Sequence, residues 1–265
     1  MKEYTIIKTP NKDLNFYRKQ GDTDMIDYRL KTFFIKEPET LIWLQRLKKK
    51  DVLWDIGANI GLYSIYSSAI MGNKTLSFEP SLRNALCLQE SIDANHLNDL
   101  VTAYPIAIGV EHIYDVLLNP RTDPGHTGSE IKTSEHSDNN TKNKDCFESG
   151  CVVDSIDNLV EKGLTPPTHL KIDVDGLEPD VIKGAAKTLP KVKSILIELT
   201  TVLENKGRAF ATPNVVESHI RIKEHLKEKG FELDETLSNY SKQKQYHADW
   251  IGVCNYIYYN KNVEQ

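Results

Sequence analysis

Short apolar segments alternate with amphipathic ones from Asp51 onward, and this alternation restricts the possible folds more than any other feature. Each apolar run has the length of a strand, and the segment after it spaces its apolar residues as a helix does. Such alternation is typical of an α/β fold, in which helices cover both faces of a mostly parallel sheet. The predicted strands are DVLWDIG, KTLSFEP, LVTAYPIAIG, THLKIDVDG and VKSILIELT, and FELDET and WIGVCNYIYYN at the end of the chain predict an antiparallel edge.

Two segments do not follow this pattern. Residues 1–50 contain one predicted strand, YTIIKT, and one predicted helix, EPETLIWLQRLKKK. We expect them to form an N-terminal cap that packs on the main domain, residues 51–265, or covers a site. Residues 119–150 are polar and rich in Gly, Asn and Ser, and a loop of this length is either functional or disordered. The sequence leaves open whether it is a lid or a simple insertion.

Composition narrows the classes of partner. Hydrophobic residues make up 39% and charged residues 27% of the chain, as in ordinary globular proteins. The net charge of -5 gives no basic excess for a phosphate backbone, so we expect no nucleic-acid partner. We also expect no membrane span, because no apolar run approaches about 20 residues. The four scattered cysteines lack zinc-site spacing, and with no signal-peptide pattern they favour a reduced, cytoplasmic protein.

The stretch LWDIGANIGLYS predicts a binding site where the first buried strand ends. Ligands of open parallel sheets bind at the carboxyl ends of the strands, and glycines there let the backbone approach them closely. Gly57 and Gly61 surround Asn59 in this turn, and Glu79 ends the next strand 22 residues after Gly57. A carboxylate at that position can accept both hydroxyls of a ribose. The turn and the acid together favour a ligand that contains adenosine, whereas the alternative is a tight turn without a ligand.

The details of the turn favour S-adenosyl-L-methionine over a dinucleotide. The dinucleotide motif G-x-G-x-x-G needs a middle glycine to make room for a pyrophosphate, and Asn59 stands there instead. Asp55, expected at the mouth of the site, would repel phosphates but suits a ligand with an ammonium and a sulfonium group. An NAD-dependent oxidoreductase is therefore a weaker hypothesis.

Three blocks of the sequence together resemble the FkbM family of S-adenosylmethionine-dependent methyltransferases. They are LWDIGANIGLYSI, LSFEP and HLKIDVDGLEPDVIKGA followed by SILIEL. The third is the most distinctive, and Asp175 stands in it where the family usually has Glu. The resemblance covers about residues 35–200.

The resemblance implies the class I methyltransferase fold, a Rossmann-like seven-stranded sheet with an antiparallel last strand. It also implies O-methylation of a hydroxyl on a small-molecule or glycan acceptor, often a sugar or a secondary metabolite. By position, Glu79 with Pro80 would hold the ribose, and Asp173 would face the methyl group or the amino group of the cofactor. Residues expected at the methionine end are Asp55, Gly57, Asn59 and Gly61.

Transfer of a methyl group to a hydroxyl needs a group that removes the proton. The candidate bases are Asp173, Asp175, Glu198, His126, His169 and His247, of which His169 is expected to be structural. Asp173 and Glu198 follow neighbouring predicted strands and could together hold a divalent metal such as Mg²⁺. We expect Lys171, in an apolar strand, to pair with an acid such as Asp173. His219, on a helix with polar neighbours, has no assigned role.

Two further alternatives remain open. The chain could be a cofactor-binding scaffold without catalysis, or it could methylate a nitrogen of another small molecule. Enzymes that methylate the amino groups of bases place Asn or Asp before Pro-Pro-aromatic after the fourth strand, and this chain has DVDG there. Methylation of nucleic acid is therefore disfavoured.

Overall fold

The structure is a computed structural model that describes residues 3–18, 24–133, 146–200, 204–205, 208–209, 212–243 and 253–265. The described strands are β1 (Glu3–Lys8), β2 (Asp13–Arg18), β3 (Val52–Ile56), β4 (Lys74–Phe78), β5 (Val101–Tyr104), β6 (Ala107–Ile108), β7 (Ile113–Asn119), β8 (Glu130–Ile131), β9 (Phe147–Asp154), β10 (His169–Ile172), β11 (Ser194–Thr200), β12 (Glu204–Asn205), β13 (Arg208–Ala209), β14 (Phe231–Leu233) and β15 (Val253–Asn260).

The described helices lie on both faces of the central sheet or at its edges. They are α1 (Asp24–Lys36), α2 (Pro38–Leu44), α3 (Leu62–Tyr66), α4 (Leu82–Ala94), α5 (Ile156–Glu161), α6 (Glu178–Lys183), α7 (Pro213–Glu228) and α8 (Glu235–Gln243). A π-helical turn, Ser67–Met71, continues α3, and a 3₁₀ turn, Leu189–Lys191, precedes β11. None of the described helices is long and apolar enough to cross a lipid bilayer.

Seven strands form the central sheet, in the order β14-β15-β11-β10-β3-β4-β5. Neighbours from β11 to β5 are parallel, and β15 is antiparallel to both β11 and β14. This is the class I methyltransferase fold that the resemblance implies, and the prediction is confirmed. The register places Ile172, Ile56 and Phe78 side by side at the carboxyl ends of β10, β3 and β4.

Apolar residues on both faces of the sheet explain why it is buried. Leu53 packs with the helices of the N-terminal half, including Phe33 of α1 and Leu88 of α4. The next residue, Trp54, packs on the opposite face with Val181 of α6, because successive side chains of a strand point to opposite sides. A strand covered on both faces reads as a continuous apolar run, which is why VLWDI signals the strand clearly.

The N-terminal segment packs along one side of the sheet. Hairpin β1–β2 contacts α4, where Ser91 Oγ accepts from the backbone N–H of Tyr17 at 2.9 Å. In α2, the indole N–H of Trp43 donates to Ser194 Oγ at 2.9 Å, at the beginning of β11. These contacts attach residues that precede the sheet in sequence to its middle.

Two predicted boundaries are wrong. The segment LVTAYPIAIG contains two strands that belong to different sheets, because Pro105 has no backbone N–H and ends β5. The stretch 119–150 is not a continuous loop either, since β8 and the first residues of β9 lie within it. These strands belong to a small sheet in the order β6-β9-β7-β8. Residues 134–145 of the stretch lie outside the described residues.

Candidate active site

A cleft lies at the carboxyl ends of β3, β4 and β10. Residues that immediately follow these strands, Gly57, Glu79 and Asp173, form its floor, and Pro80 lies beside them. Leu117 and Ile131 of the small sheet form the opposite wall. The register of the parallel strands thus brings together residues that are far apart in the sequence, as predicted for this edge of the sheet.

The glycine turn after β3 depends on positive φ angles. Gly57 has φ +80°, and a Cβ there would collide with the backbone carbonyl of Asp173. Gly61, at φ +86°, lies against Leu88 of α4 and begins α3. Asn59 has φ +51°, which asparagine tolerates better than most residues. The turn therefore brings backbone, without side chains, against the loop after β10.

Glu79 is a buried carboxylate that faces the cleft. Its Oε2 accepts from the backbone N–H of Asn59 at 2.8 Å, and its Oε1 accepts from that of Ser81 at 2.9 Å. Burial, with the negative charge of Asp175, raises the pKa of Glu79 to about 7 despite these hydrogen bonds. Oε1 also accepts a long hydrogen bond from Asn84 Nδ2 at 3.4 Å. Because an ionised carboxylate offers about four acceptor positions, Glu79 retains capacity for a ligand hydroxyl at Oε2.

Asp55 lies beneath the cleft rather than at its mouth. Its side chain is fully buried, and its Oδ2 accepts from Ser64 Oγ at 2.6 Å. Lys171 Nζ lies 3.6 Å from Asp55 Oδ1 and 3.1 Å from Oδ2 of Asp173, so the predicted pairing of Lys171 with Asp173 is confirmed. Burial alone would lower the pKa of Lys171, but the two carboxylates hold it above its ordinary value. Lys171 thus fixes Asp173, which is partly exposed and lines the cleft.

A second polar cluster, which none of the sequence motifs indicates, lies next to Lys171. Glu37 precedes α2 and accepts from Tyr63 Oη at 2.9 Å, and Glu39 accepts from Asn255 Nδ2 at 2.9 Å. Burial raises the pKa of Glu37, but Lys36 and Lys171 lower it to about 2. The only signal in the sequence is EPET, an acidic start of a helix that is also an ordinary helix beginning.

Glu198 borders this cluster from β11, where it pairs in register with Asn255. Burial and the negative charge of Asp173 raise the pKa of Glu198 well above its ordinary value. Glu198 is not among the residues that line the cleft, whereas Asp173 is. The two candidate acids are thus electrostatic neighbours, but only Asp173 is in direct contact with the cleft.

Residues 121–129 cover the cleft and are called the roof segment here. Asn59 Nδ2 donates to the carbonyl of His126 at 3.0 Å, and the backbone N–H of Gly128 donates to Asp175 Oδ2 at 2.7 Å. The imidazole of His126 lines the cleft, where burial and the charge of Arg121 lower its pKa. The described part of the long stretch 119–150 therefore contributes directly to the site.

The other histidines lie away from the cleft or outside the described residues. His169 is at the amino end of β10, where its Nδ1 lies 2.6 Å from Ser194 Oγ, so it is not a candidate base. His247 lies outside the described residues. His219 is buried, with Nε2 3.2 Å from Glu178 Oε2, and Oε1 of Glu178 accepts from the backbone N–H of Val174 at 3.2 Å. His219 therefore supports the loop after β10 through Glu178. Its polar neighbours in the sequence give no indication of this buried role.

The donor set gives no support to the predicted magnesium site. Asp173 is already paired with the ammonium group of Lys171. Within the described part of the chain, no three His, Cys, Asp or Glu side chains are arranged to hold a metal ion. We therefore derive no metal-dependent step.

Comparison with known proteins gives the family. The methyltransferase FkbM domain matches residues 55–233. The hexuronic acid methyltransferase AglP of Haloferax volcanii is 26% identical over 167 residues, which are 62% of this chain and 62% of AglP. The chain thus spans less than two thirds of the length of this relative.

Solved structures are similar to this chain only at a low level. Precorrin-6y C5,15-methyltransferase from Geobacter metallireducens has a TM-score of 0.44 and 12% identity, over 83% of this chain and 86% of that one. TYW2 of P. horikoshii, in complex with MeSAdo, has a TM-score of 0.41 and 13% identity, over 96% of this chain and 69% of that one. These similarities are too low to assign a substrate.

The domain match covers more than half of the chain, including the glycine turn, Glu79 and the loop after β10. The chain therefore belongs to the FkbM family of methyltransferases.

Proposed function

We propose that this protein is a methyltransferase that transfers the methyl group of S-adenosylmethionine to a hydroxyl of a sugar or glycan. The observation that carries the cofactor assignment is Glu79, a buried carboxylate at the floor of the cleft with free acceptor capacity. Ribose hydroxyls are the groups such a carboxylate accepts in folds of this kind. The name of the relative AglP, a hexuronic acid methyltransferase, supports a sugar acceptor.

In this proposal, the site binds the cofactor along the edge of the sheet. Glu79 accepts the ribose hydroxyls, and Pro80 with Ile106 and Ala107 packs against the adenine. The turn at Gly57 lets the cofactor lie close to the backbone, and Asp173 attracts its ammonium or sulfonium charge. Asp55 acts indirectly, by holding Lys171 in place beneath Asp173.

The reaction is an in-line displacement at the methyl carbon. The acceptor oxygen forms a bond to the methyl group as the carbon–sulfur bond breaks, and the sulfonium becomes a neutral thioether. The hydroxyl proton moves to a carboxylate, and Asp173 is the candidate in contact with the cleft. Much of the acceleration comes from holding the acceptor close to the methyl group, which the roof segment assists by excluding water.

Transfer of tritium from S-adenosyl-[methyl-³H]methionine tests the proposal. A panel of a glucuronide, a glucoside and an amino sugar separates acid-bearing, neutral and nitrogen acceptors. We expect label on a hydroxyl-bearing sugar and a rate slower by a factor of about 100 or more in Asp173→Asn. Glu198→Gln and His126→Gln test two of the other described candidate bases. Label on the nitrogen of the amino sugar alone would contradict O-methylation.

A further inference from the structure

The cleft contains one cationic side chain among several acids. Glu79, Asp173 and Asp175 line it, and Arg29 of α1 is the one arginine or lysine among its described lining residues. A ligand of this cleft therefore meets negative charge on the floor and a single positive charge from the N-terminal segment. Arg29 lies within an amphipathic helix outside the motif blocks, so no sequence pattern selects it.

Packing and one hydrogen bond hold Arg29 in position. Ile26, Leu30 and Phe33 bury the adjacent face of α1, which fixes the helix against the domain. Arg29 Nε donates to the carbonyl of Gly125 in the roof segment at 2.5 Å. The guanidinium is therefore oriented by the protein before any ligand binds, which reduces the entropy lost on binding.

The terminal nitrogens of Arg29 make no hydrogen bond within the described structure, although the positive charge of Arg29 acts to lower the pKa of the cleft acid Asp175. Its terminal nitrogens carry four N–H groups, and no described residue accepts from them. Two neighbouring cations, in contrast, form ion pairs with carboxylates: Arg18 is 2.8 Å from Asp27, and Lys36 is 2.9 Å from Glu37. An oriented guanidinium with free terminal donors matches the two oxygens of a carboxylate.

We propose that Arg29 binds a carboxylate group of a ligand in this cleft. The inference rests on the proposed function, and that function offers two sources of a carboxylate. One is the methionine part of the cofactor, and the other is an acidic sugar acceptor. Both use the same paired hydrogen bonds to the terminal nitrogens, so the chemistry of Arg29 is the same in each.

Titration with two nucleosides tests the first source. S-adenosylhomocysteine and 5′-methylthioadenosine share the adenosine and the thioether, but only the former has a carboxylate. If the carboxylate belongs to the cofactor, Arg29→Gln weakens binding of S-adenosylhomocysteine about 10- to 100-fold and leaves that of methylthioadenosine unchanged. Arg29→Lys keeps the charge without the fork and is expected to lose less.

Acceptor kinetics test the second source. If the carboxylate belongs to the acceptor, Arg29→Gln binds both nucleosides normally, but its KM for a glucuronide rises about tenfold or more while that for the matching glucoside stays unchanged. Lys31→Gln is the matched control, since Lys31 is an exposed cation on the same helix. Thermal unfolding of each variant checks that the fold is intact.

The outcomes separate this proposal from the proposed function. Suppose that wild-type protein binds S-adenosylhomocysteine, but Arg29→Gln neither weakens this binding relative to that of methylthioadenosine nor raises KM for the glucuronide relative to the glucoside. The role of Arg29 is then wrong, and the cofactor assignment stands. If wild-type protein binds neither nucleoside, both are wrong.

Discussion

Gly57 is a residue of the site at which a side chain cannot be accommodated without a change in the backbone. Alanine at this position would have a disfavoured positive φ, and its methyl group would collide with the carbonyl of Asp173. We expect Gly57→Ala to lower the free energy of unfolding by about 2 to 4 kcal/mol and to abolish binding of S-adenosylhomocysteine. Urea unfolding followed by circular dichroism measures the first effect.

Gly150→Ala provides the control for this change. Gly150 lies in β9, and no heavy atom lies within 4 Å of the position that an added methyl group would take. Its replacement should therefore change stability by less than about 0.5 kcal/mol. Equal stability of the two variants would show that the turn after β3 adapts to a side chain.

Glu79 should make cofactor binding depend on pH. Burial raises its pKa from 4.5 to about 7, so near neutral pH the carboxyl group is partly protonated. Ribose hydroxyls donate to the ionised form, and we therefore expect the affinity for S-adenosylhomocysteine to fall as pH decreases below about 7, by up to about tenfold per pH unit. Titrations between about pH 6 and 8, on either side of that pKa, measure this slope.

The variant Glu79→Gln separates this effect from other titrating groups. It cannot ionise, so its weaker binding should lose the dependence that is due to Glu79. A slope that is identical in wild type and variant would assign the pH dependence to another residue.

Among the elements, the roof segment depends on a few hydrogen bonds that can be tested one at a time. Asp175 accepts from the backbone N–H of Gly128, and Asp175→Ala removes that acceptor. We expect faster hydrogen–deuterium exchange at Gly128 in this variant, because its amide loses its partner. Asp175→Asn keeps an acceptor oxygen and should exchange nearly as wild type does. Equal exchange in Asp175→Ala and wild type would show that this bond does not hold the roof segment.

Sequence patterns predict best the elements whose secondary structure is determined mainly by their own apolar residues. VLWDI and HLKI are apolar on both faces and lie in the middle of the sheet, so their type follows from local sequence. The roof segment is different, because its position depends on contacts with distant residues such as Asn59 and Asp175. A polar, glycine-rich stretch does not encode those partners locally.

At the scale of the whole molecule, a buried network at the amino end of β10 joins the N-terminal segment to the sheet. Ser194 Oγ accepts from Trp43 and contacts His169, whose Nε2 is 3.4 Å from Asp51. Burial lowers the pKa of His169 from 6.5 to about 4. The unfolded chain takes up a proton near pH 6.5 and the folded one does not, so this residue reduces stability as pH falls from about 6.5 to 4.

His169→Asn tests this effect. Its free energy of unfolding should depend less on pH over that interval, by up to about 3 kcal/mol, because the variant has no imidazole to protonate. Urea unfolding of wild type and His169→Asn at about pH 4.5, 5.5 and 7 gives the comparison. An unchanged slope in His169→Asn would show that other buried groups cause the acid sensitivity.

The molecule as a whole explains why the fold and part of the site could be predicted and the rest could not. Gly57, Glu79 and Asp173 follow strands, so a parallel register was enough to bring them together. Tertiary packing of α1, α2 and β15 brings other residues to the region of the site, namely Arg29, Glu37 and Asn255. Asp55 belongs to the motif but is held beneath the cleft by Lys171, a partner that only the register of β3 and β10 reveals.

The central claim is that this cleft binds S-adenosylmethionine through Glu79. Calorimetric titration tests it most directly, with wild-type protein and Glu79→Gln, S-adenosylhomocysteine as the ligand and NAD as the control. We predict micromolar binding of S-adenosylhomocysteine by wild type, none of NAD, and a loss of about 1 to 3 kcal/mol of binding free energy in the variant. Equal binding by the two proteins, or binding of NAD instead, would contradict the assignment of this cleft.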